Sequence, residues 1–340
     1  MRVSPWMAPA LLALVVNSAT AAGAPGHFVF RDWEVACDNT RRCQAVGYQA
    51  DSGNKAPAAL RLTREAGVSQ VSGRLMVETE DDASPGKLTL LLDVDGFKPL
   101  SVSAEGDLPS DQLARLLPHM LNANIMVLRN QHTSWDISLD GIKAALLKMD
   151  DVQGRVGTNT ALARRGDKPA SAVPPPLAPP VVQLLPPVAT RKEDAQLLPR
   201  IVKTLKNSGC EEAPDLHGEQ YNDIYRLSAS EVLLVIECNR GAYQSSFELV
   251  VARDRPPYAA KPVALPDPSG KHQGQLLNPS WEDGMLHSSA KGRGLGDCFA
   301  FASWGWTARG FQLTEASSSQ LCRGMPGGVA VREYTATVRK

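Results

Sequence analysis

Residues 28–43 have the sequence FVFRDWEVACDNTRRC, in which aromatic and β-branched residues precede a polar segment that lies between two cysteines. Residues of the first kind favour β-strands, and polar residues such as Asp and Asn favour turns. A disulfide between Cys37 and Cys43 would join the two ends of this turn. The stretch therefore predicts a β-hairpin closed by a disulfide, at the start of an N-terminal half that is built mainly of strands.

The rest of the N-terminal half combines further strand patterns with two helical ones. Strands are predicted at 59–64, 71–77, 88–94, 125–128 and 134–139. Ser110 is predicted to cap one helix and Asp140 the next. Hydrophobic residues at helical spacing form the expected buried faces, namely Leu113, Leu116 and Leu117 in the first helix and Ile142, Ala145, Leu146, Met149 and Val152 in the second.

The C-terminal half is predicted to begin with a short helix at 198–206, whose hydrophobic face is Ile201, Val202 and Leu205. Strand character follows at 231–237, 243–252, 285–289, 298–307, 311–314 and 329–338. Because the four large aromatic residues of 299–306 do not share one parity, a β-bulge near Ser303 is expected. The predicted class is α+β, with two mostly antiparallel β domains that each contain one or two short helices.

A proline-rich segment divides the chain. Residues 166–190 contain eight prolines, and proline removes a backbone donor and restricts φ, so that neither a helix nor a central strand can run through the segment. It is therefore predicted to be an extended, semi-rigid spacer, or alternatively a ligand for a proline-binding groove. The predicted domains are 22–165 and 191–340, and proteolysis between Gly166 and Thr190 is expected to release two stable fragments.

The first 21 residues have the three parts of a secretory signal peptide, namely a positive start at Arg2, a short hydrophobic run at 8–16 and the small residues of Ala19-Thr20-Ala21. The hydrophobic run is shorter than the roughly 20 residues that cross a bilayer as a helix. No later stretch of the sequence is long and hydrophobic enough to span one. We therefore expect a protein that is exported to the periplasm and has no transmembrane segment in its mature chain.

Six cysteines, an even number, fit this compartment, because oxidising environments favour disulfides. Proximity along the chain favours the pairs Cys37–Cys43, Cys210–Cys238 and Cys298–Cys322. The Cys-x-x-Cys and paired-histidine spacings of zinc sites do not occur in the sequence. The sequence therefore predicts three disulfides, no metal site and no cofactor.

The formal net charge is zero, from 36 basic and 36 acidic residues. A protein that binds nucleic acid needs a basic surface that displaces counterions from phosphate, and electrostatic attachment to anionic lipid needs one as well. The balance argues against both classes, although net charge does not report how charge is distributed over the surface.

No group of residues has the spacing of a catalytic site. The six histidines share no spacing and are expected on the surface or in loops, and the motifs Gly-x-Ser-x-Gly and His-Glu-x-x-His do not occur. Ser288 and Lys291 have the spacing of a Ser-Lys pair, but they fall at the end of a predicted strand, whereas such a pair works from one face of a helix. No catalytic residue is therefore assigned.

The most distinctive segment is KGRGLGDC at residues 291–298. Its three glycines can expose backbone N–H groups, and Lys291, Arg293 and Asp297 make it a candidate ligand loop that would hold an anion. The alternative, which we prefer, is a tight connection held by a disulfide at Cys298. A phosphate loop normally opens a helix, whereas this loop precedes a strand.

Three tryptophans lie in the last third of the chain, at positions 281, 304 and 306. Buried tryptophans would belong to the core, whereas an exposed platform would indicate sugar or peptide binding. The sequence leaves both interpretations open.

Three long motifs run through the chain. The first is FxxWxVxCDNTxxC at residues 30–43, and the second is WxxSxxGxxAALxxMDxxQxR at residues 135–155. The third is residues 291–298 followed by Trp304-x-Trp306. Together they resemble the motifs of a family of exported bacterial proteins, domain-of-unknown-function family 1176, over nearly the whole mature chain. Gln244 and Phe299 depart from that pattern, where Asn and Gly are expected.

The resemblance implies a protein of the Gram-negative cell envelope and supplies no catalytic residue. The opening motif is also similar, more weakly, to proteins of the invasion-associated locus B type. The leading hypothesis is a periplasmic, non-enzymatic binding or interaction protein whose partner is an envelope protein or a cell-wall component. The alternative is an envelope hydrolase or transferase that uses the glycine-rich loop before Cys298.

Overall fold

The computed structural model describes residues 24–51, 56–79, 85–103, 106–205, 209–210 and 221–340, so that the predicted signal peptide lies outside the described residues. The elements of the N-terminal half are the strands β1 (Gly26–Phe30), β2 (Trp33–Cys37), β3 (Cys43–Tyr48), β4 (Ala58–Arg64), β5 (Ser72–Val77), β6 (Lys87–Leu92), β7 (Leu100–Ser103), β8 (Asp107–Leu108), β9 (Ile125–Arg129) and β10 (Ser134–Ser138), and the helices α1 (Ser110–Met120) and α2 (Ile142–Val152).

These strands form two antiparallel sheets around one core. The first sheet has the order β1-β2-β3-β4-β5-β8 and the second has the order β10-β9-β6-β7. Helices α1 and α2 contribute Leu113 and Leu146 to the core, where they join Trp33 and Leu60 from the first sheet. The disulfide Cys37–Cys43 joins the facing ends of β2 and β3, which confirms the predicted hairpin.

Both predicted helices are present, and their predicted hydrophobic faces are buried. The predicted caps are wrong. Helix α1 begins at Ser110 itself, after Pro109, and makes no side-chain cap hydrogen bond. Helix α2 follows Gly141, whose φ of 101° lies in the left-handed region, so that Asp140 is one residue too early to cap it.

The elements of the C-terminal half are the strands β11 (Val181–Gln183), β12 (Asp223–Arg226), β13 (Glu231–Arg240), β14 (Ser245–Arg253), β15 (Lys261–Pro262), β16 (Leu265–Pro266), β17 (His272–Gln273), β18 (Gln275–Leu277), β19 (Pro279–Glu282), β20 (Met285–Lys291), β21 (Phe299–Thr307), β22 (Gly310–Ser318), β23 (Val331–Thr335) and β24 (Thr337–Arg339), and the helix α3 (Leu197–Val202). Helix α3 is shorter than predicted, and residues 206–208 at its predicted end lie outside the described residues.

Two antiparallel sheets also enclose the core of this half. Strands β12 to β15 form one sheet, with β18 added to β14, and β19 to β23 form the other in chain order. Leu233 and Leu249 of the first sheet pack against Trp304 and Leu313 of the second. Helix α3 covers the opposite face of β13 and β14 through Ile201.

The fold is therefore mostly antiparallel β, with three short α-helices among the described residues, which agrees with the predicted class in its coarse form. The pair β11–β24 is parallel. Within the part of the chain that the structure describes, no helix is long and apolar enough to cross a membrane.

A register shift is present between Ser303 and Trp304, as expected, but the extra residue is in the partner strand. Ser303 pairs with Glu315 and Trp304 with Leu313, so that Thr314 of β22 is unpaired and donates its hydroxyl to the carbonyl oxygen of Ser303 at 2.9 Å. Strand β21 itself keeps its alternation. Phe299 and Phe301 therefore point to the face opposite Trp304 and Trp306, whereas a bulge in β21 would have placed all four on one face.

The proline-rich segment is tied to the protein at both ends. On the N-terminal side, the backbone of Lys168 bonds to Gly157 and Asn159. On the C-terminal side, β11 pairs with β24, and Val182 and Leu184 are buried. Between these attachments, Ala170–Ala172 form a 3₁₀ turn and Pro176 lies close to Gly67. The interpretation of residues 166–190 as a spacer stays a prediction.

The two halves share a buried interface. One face of β2 and β3 lines the N-terminal core, and the other packs against the C-terminal half, where Ala36, Val46 and Tyr48 meet Met325 and Val331. Both faces of these strands are covered, which explains why every residue of β2 and β3 is buried.

The polar turn of the first hairpin is part of this interface. Asp38 accepts a hydrogen bond from Arg332 Nε at 2.7 Å. Asn39 exchanges two hydrogen bonds with the backbone of Thr335, at 2.9 and 3.0 Å. The Asp-Asn pair of the first motif therefore attaches the N-terminal half to β23.

Cleavage within residues 169–180 is expected to leave both fragments in one particle. Each of the three disulfides joins cysteines of the same half, so only the non-covalent interface would hold the nicked protein together. Brief digestion with proteinase K should give two bands on a denaturing gel and a single peak at the intact elution volume in native size-exclusion chromatography. Separate elution of the fragments in the native run would contradict this.

Candidate functional site

The glycine-rich loop connects β20 to β21 and is braced from within. The disulfide Cys298–Cys322 ties its end to the segment that follows β22. The amide of Gly292 donates to the carbonyl oxygen of Cys298 at 2.9 Å, and that of Gly296 donates to Arg293 at 3.0 Å. These bonds close the loop on itself.

Asp297 is buried and supports the loop from within. Its carboxylate is buried and accepts hydrogen bonds from Arg293 Nε at 2.7 Å and from the amide of Gly324 at 2.6 Å. The hydrogen bonds from Arg293 and the Gly324 amide outweigh burial and hold the pKa of Asp297 below its usual value. The structure thus brings Arg293 and Asp297 together as a pair inside the loop.

Lys291 lies at the end of β20 and is fixed through its backbone. Gln244 accepts a hydrogen bond from the Lys291 amide at 2.9 Å and donates one to its carbonyl oxygen at 3.2 Å. Gln244 is one of the two departures from the family pattern, and its side chain reaches both groups. Lys291 and the half-exposed side chain of Arg293 are the members of the predicted ligand loop that reach solvent.

An exposed cluster of aromatic and aliphatic side chains surrounds this loop. We call it the aromatic patch and define it as Tyr243, Leu295, Phe299 and Phe301. Leu295 is 70% exposed at the tip of the loop, Tyr243 is 47% exposed and Phe301 is 42% exposed. The rings of Phe299 and Phe301 stack with centroids 5.5 Å apart.

The loop glycines hold the aromatic patch together. A Cβ atom on Gly294 would lie 3.5 Å from the ring of Tyr243, and one on Gly296 would lie 3.5 Å from the ring of Phe299. The loop therefore passes close to the rings of Tyr243 and Phe299, one on each side of Leu295 in the sequence. Contiguous exposed apolar surface of this kind marks interaction sites.

The three tryptophans are core residues rather than a platform. Trp304 is fully buried and donates from Nε1 to the carbonyl oxygen of Pro266 at 2.7 Å. Trp281 and Trp306 are partly buried and pack on Phe311, with ring centroids 6.1 and 4.8 Å away. Of the two interpretations that the sequence left open, the structure supports the core one. The alternation of Phe299 and Phe301 with the small residues Ala300 and Ala302 was the available signal for the aromatic patch.

A buried polar network lies at the interface between the halves and was missed by the sequence analysis. His27 bonds through Nδ1 to Glu333 at 2.6 Å and through Nε2 to Glu34 at 2.9 Å. Ser318 donates to Glu333 and lies 3.1 Å from His27 Nδ1. The expectation that the histidines lie on the surface or in loops is wrong for His27, whose side chain is only 5% exposed in β1.

This network contains a serine, a histidine and two carboxylates, but its protonation does not suit nucleophilic catalysis. Burial by itself lowers the pKa of His27, and hydrogen bonds with Glu333 and Glu34 outweigh it and raise that pKa to about 9. His27 is therefore protonated at neutral pH and cannot accept a proton from Ser318. The arrangement joins β1 and β2 to β22 and β23 through paired charges.

Among the described residues, one group of side chains has the proximity of a metal site, and a disulfide within it argues against that use. Asp297, Cys298 and Cys322 lie close enough together to share an ion. The two sulfurs are bonded to each other, and a metal requires thiolate ligands. In the described part of the chain this group therefore supports the loop and does not supply a metal site.

A disulfide-braced, mostly antiparallel β protein with an exposed aromatic patch is the class that the fold and this site define. The chain belongs to the family described as "Protein of unknown function (DUF1176)", whose model matches residues 27–337. It is 30% identical over 323 residues to the uncharacterized protein YpfG of Escherichia coli (strain K12). The aligned region covers 88% of this chain and 89% of that protein. No solved structure matches the chain.

Proposed function

We propose that this protein is a periplasmic, non-enzymatic binding or interaction protein of the cell envelope, and that the aromatic patch is its contact surface for an envelope protein. Three disulfides suit an oxidising compartment outside the cytoplasm. The observation that carries the proposal is the 70% exposure of Leu295 at the tip of a loop that is braced by a disulfide and by the ion pair between half-exposed Arg293 and buried Asp297.

Rigidity is what makes this surface suitable for binding. An ordered loop loses little conformational entropy when a partner covers it, so a larger part of the contact energy appears as affinity. Aromatic and arginine side chains are also the residues that most often dominate the energy of protein interfaces. Tyr243, Phe301 and Arg293 supply both kinds around Leu295.

The alternative of an envelope hydrolase or transferase receives less support from the same loop. Asp297 would be the nearest acid for such chemistry, but it is buried and paired with Arg293. A general base needs access to the substrate and a pKa near the working pH. Burial of Asp297 limits its access to a substrate, and its pKa is lowered away from the neutral range.

The proposal is tested by placing a photo-crosslinking amino acid at position 295 and, in a second protein, at position 177, where Leu177 is 46% exposed on the proline-rich segment. Crosslinking in cells should give a discrete adduct from position 295 and not from position 177. The same adducts from both positions, or none from 295, would show that the aromatic patch has no specific partner.

The partner identified in this way should bind the purified protein, and the double variant Leu295→Ser, Phe301→Ser should weaken binding at least tenfold, because it removes two exposed apolar contacts. The variant Leu177→Ser is the matched control and should leave the affinity unchanged. Equal effects of the two variants would contradict the proposal.

A further inference from the structure

The N-terminal half contains a preformed apolar cavity, whose residues are distant in sequence from those of the aromatic patch. It has a volume of about 590 Å³ and lies between α1 and residues 160–165. Leu113, Leu117 and Val71 form its buried floor. The volume falls within the range of roughly 300–1,000 Å³ that is usual for small-molecule sites.

Two further cavities adjoin this one. Leu121 and Asn122 line all three, and the other two have volumes of about 420 and 800 Å³. We call the three together the amphipathic groove. The apolar cavity lies against α1, residues of α2 line the other two, and the turn between β1 and β2 lines the largest.

The charged residues along the amphipathic groove are nearly all basic. They are Arg165 beside the apolar cavity, Arg164 and Lys143 in the middle, and Arg31 at the far end, with Asp140 as the single acid. The formal charge of the whole protein is zero, so this is a local concentration of positive charge. Such a groove attracts anionic ligands.

A second source of positive charge lies directly behind the apolar cavity. The buried guanidinium groups of Arg64 and Arg155 lie close to a single carboxylate, that of Asp150, which pairs with Arg64 at 2.8 Å. Arg155 donates a hydrogen bond to the hydroxyl of Thr160 at 2.9 Å, and Thr160 lines the cavity. Arg64 Nε and Nη1 and Arg155 Nε find no acceptor among the described residues. Among the described residues, the ion pair with Asp150 is the one that involves either arginine, so a net positive charge lies beside Thr160 in the wall of the cavity.

We propose that the amphipathic groove binds a monomeric long-chain carboxylate, with its alkyl chain in the apolar cavity and its carboxylate against Arg164 and Arg165. The apolar floor requires an alkyl chain, and the basic rim requires an anionic head group. A single alkyl chain can enter a concave cavity of about 590 Å³, whereas the flat surface of a bilayer cannot. This ligand site is independent of the partner surface proposed at Leu295.

The experiment measures displacement of the fluorescent probe 11-(dansylamino)undecanoic acid from the full mature chain. Dodecanoate, below its micellar concentration, should displace the probe. Dodecyltrimethylammonium has the same chain with the opposite charge and should bind at least tenfold more weakly. Butyrate has the head group without the chain and should not compete, because each buried methylene strengthens binding about fourfold.

Two variants locate the site. Ala114 is exposed at the mouth of the cavity, so Ala114→Phe should block the chain and weaken dodecanoate binding at least tenfold without changing the fold. The double variant Arg164→Gln, Arg165→Gln should weaken dodecanoate binding at least tenfold and should strengthen dodecyltrimethylammonium binding, because it removes positive charge that repels the ammonium group. Arg115→Gln, on the exposed side of α1, is the matched control and should bind dodecanoate as the parent does.

The proposal is overturned if dodecanoate and dodecyltrimethylammonium displace the probe equally, if butyrate competes as well as dodecanoate, or if Ala114→Phe, with an unchanged melting temperature, retains full affinity. If Ala114→Phe lowers the melting temperature, the arginine variants decide whether the proposal holds, because substitutions at their exposed positions should not disturb the fold. Equal affinity of these variants and of Arg115→Gln for dodecanoate would also overturn it.

Discussion

Replacement of Glu34 by alanine is expected to lower the free energy of unfolding by about 3–5 kcal/mol. Glu34 is fully buried and accepts hydrogen bonds from the Tyr48 hydroxyl at 2.5 Å, from His27 Nε2 at 2.9 Å and from the amide of Gln320 at 2.7 Å. Alanine would leave these three donors without an acceptor at the interface between the halves, one of them charged. Urea unfolding at pH 6 measures the effect.

The matched control for this variant is Asp111→Ala. Asp111 pairs with Arg115 at 2.8 Å, a distance similar to those at Glu34, but both side chains are at least 70% exposed. Exposed pairs contribute little because water screens them, so a change below about 0.5 kcal/mol is expected. Similar effects of the two variants would mean that the buried network does not hold the halves together.

The pH dependence of stability distinguishes the charge network from simple packing. The pKa of His27 rises from 6.5 to about 9 on folding, a change that corresponds to roughly 3 kcal/mol. Since the folded protein binds the proton more tightly, this stabilisation is present below pH 6.5 and is lost between pH 6.5 and 9. In Glu34→Ala this decline should become markedly smaller, because His27 then keeps only Glu333.

Glu333 limits the stable range on the acid side. Burial raises the pKa of Glu333, but hydrogen bonds from His27 and Ser318 outweigh it and leave that pKa below the usual 4.5. Its stabilising contribution is therefore present above pH 4.5 and is lost on acidification. The network should be most stabilising between pH 4.5 and 6.5.

Replacement of Gly141 by alanine is expected to destabilise the protein by more than about 4 kcal/mol, which is an exceptional value for a single substitution. Two causes act together. Gly141 has a φ of 101°, which side chains rarely adopt, and an added Cβ would lie 1.9 Å from the carbonyl oxygen of Phe30. Because that contact is with a backbone atom, relieving it would require β1 or the start of α2 to shift, which costs free energy.

Gly96→Ala separates these two causes. Gly96 also has a positive φ, of 78°, but nothing lies within 4 Å of an added Cβ. Only the conformational cost remains, which is about 1–2 kcal/mol. Thermal unfolding and soluble yield measure both variants. A large loss for Gly141→Ala beside a small one for Gly96→Ala is expected, and equal losses would mean that the close approach to Phe30 is not a constraint.

The disulfides and the buried helix faces could be predicted because they depend on chain-local information. Cysteines close in sequence in an oxidising compartment pair with one another, and the three pairs are as predicted. Hydrophobic residues at helical spacing bury one face of a helix wherever the helix packs. The caps failed because Pro109 and Gly141 determine the helix starts through backbone geometry, which the side chains of Ser110 and Asp140 do not report.

The roles of the motif residues could not be predicted, because their partners are distant in sequence. Asp150 of the second motif accepts hydrogen bonds from the amides of Leu162 and Ala163 and pairs with Arg64. Gln153 donates to the carbonyl oxygens of Arg41 and Arg64. These hydrogen bonds hold loops to α2 and to the residue that follows it.

The sequence by itself determined most of the longer strands, the covalent framework and the family, since alternation, cysteine spacing and motifs are properties of short stretches. Short strands such as Leu100–Ser103 and Asp223–Arg226 were not predicted. Tertiary structure decided which faces meet. The alternation of β2 specifies that Trp33 and Val35 face one way and Glu34 and Ala36 the other, but only the docking of the C-terminal half buries Glu34 beside His27 and Glu333. The physical reason is that burial depends on what covers a surface, and the covering residues lie about 300 positions away along the chain.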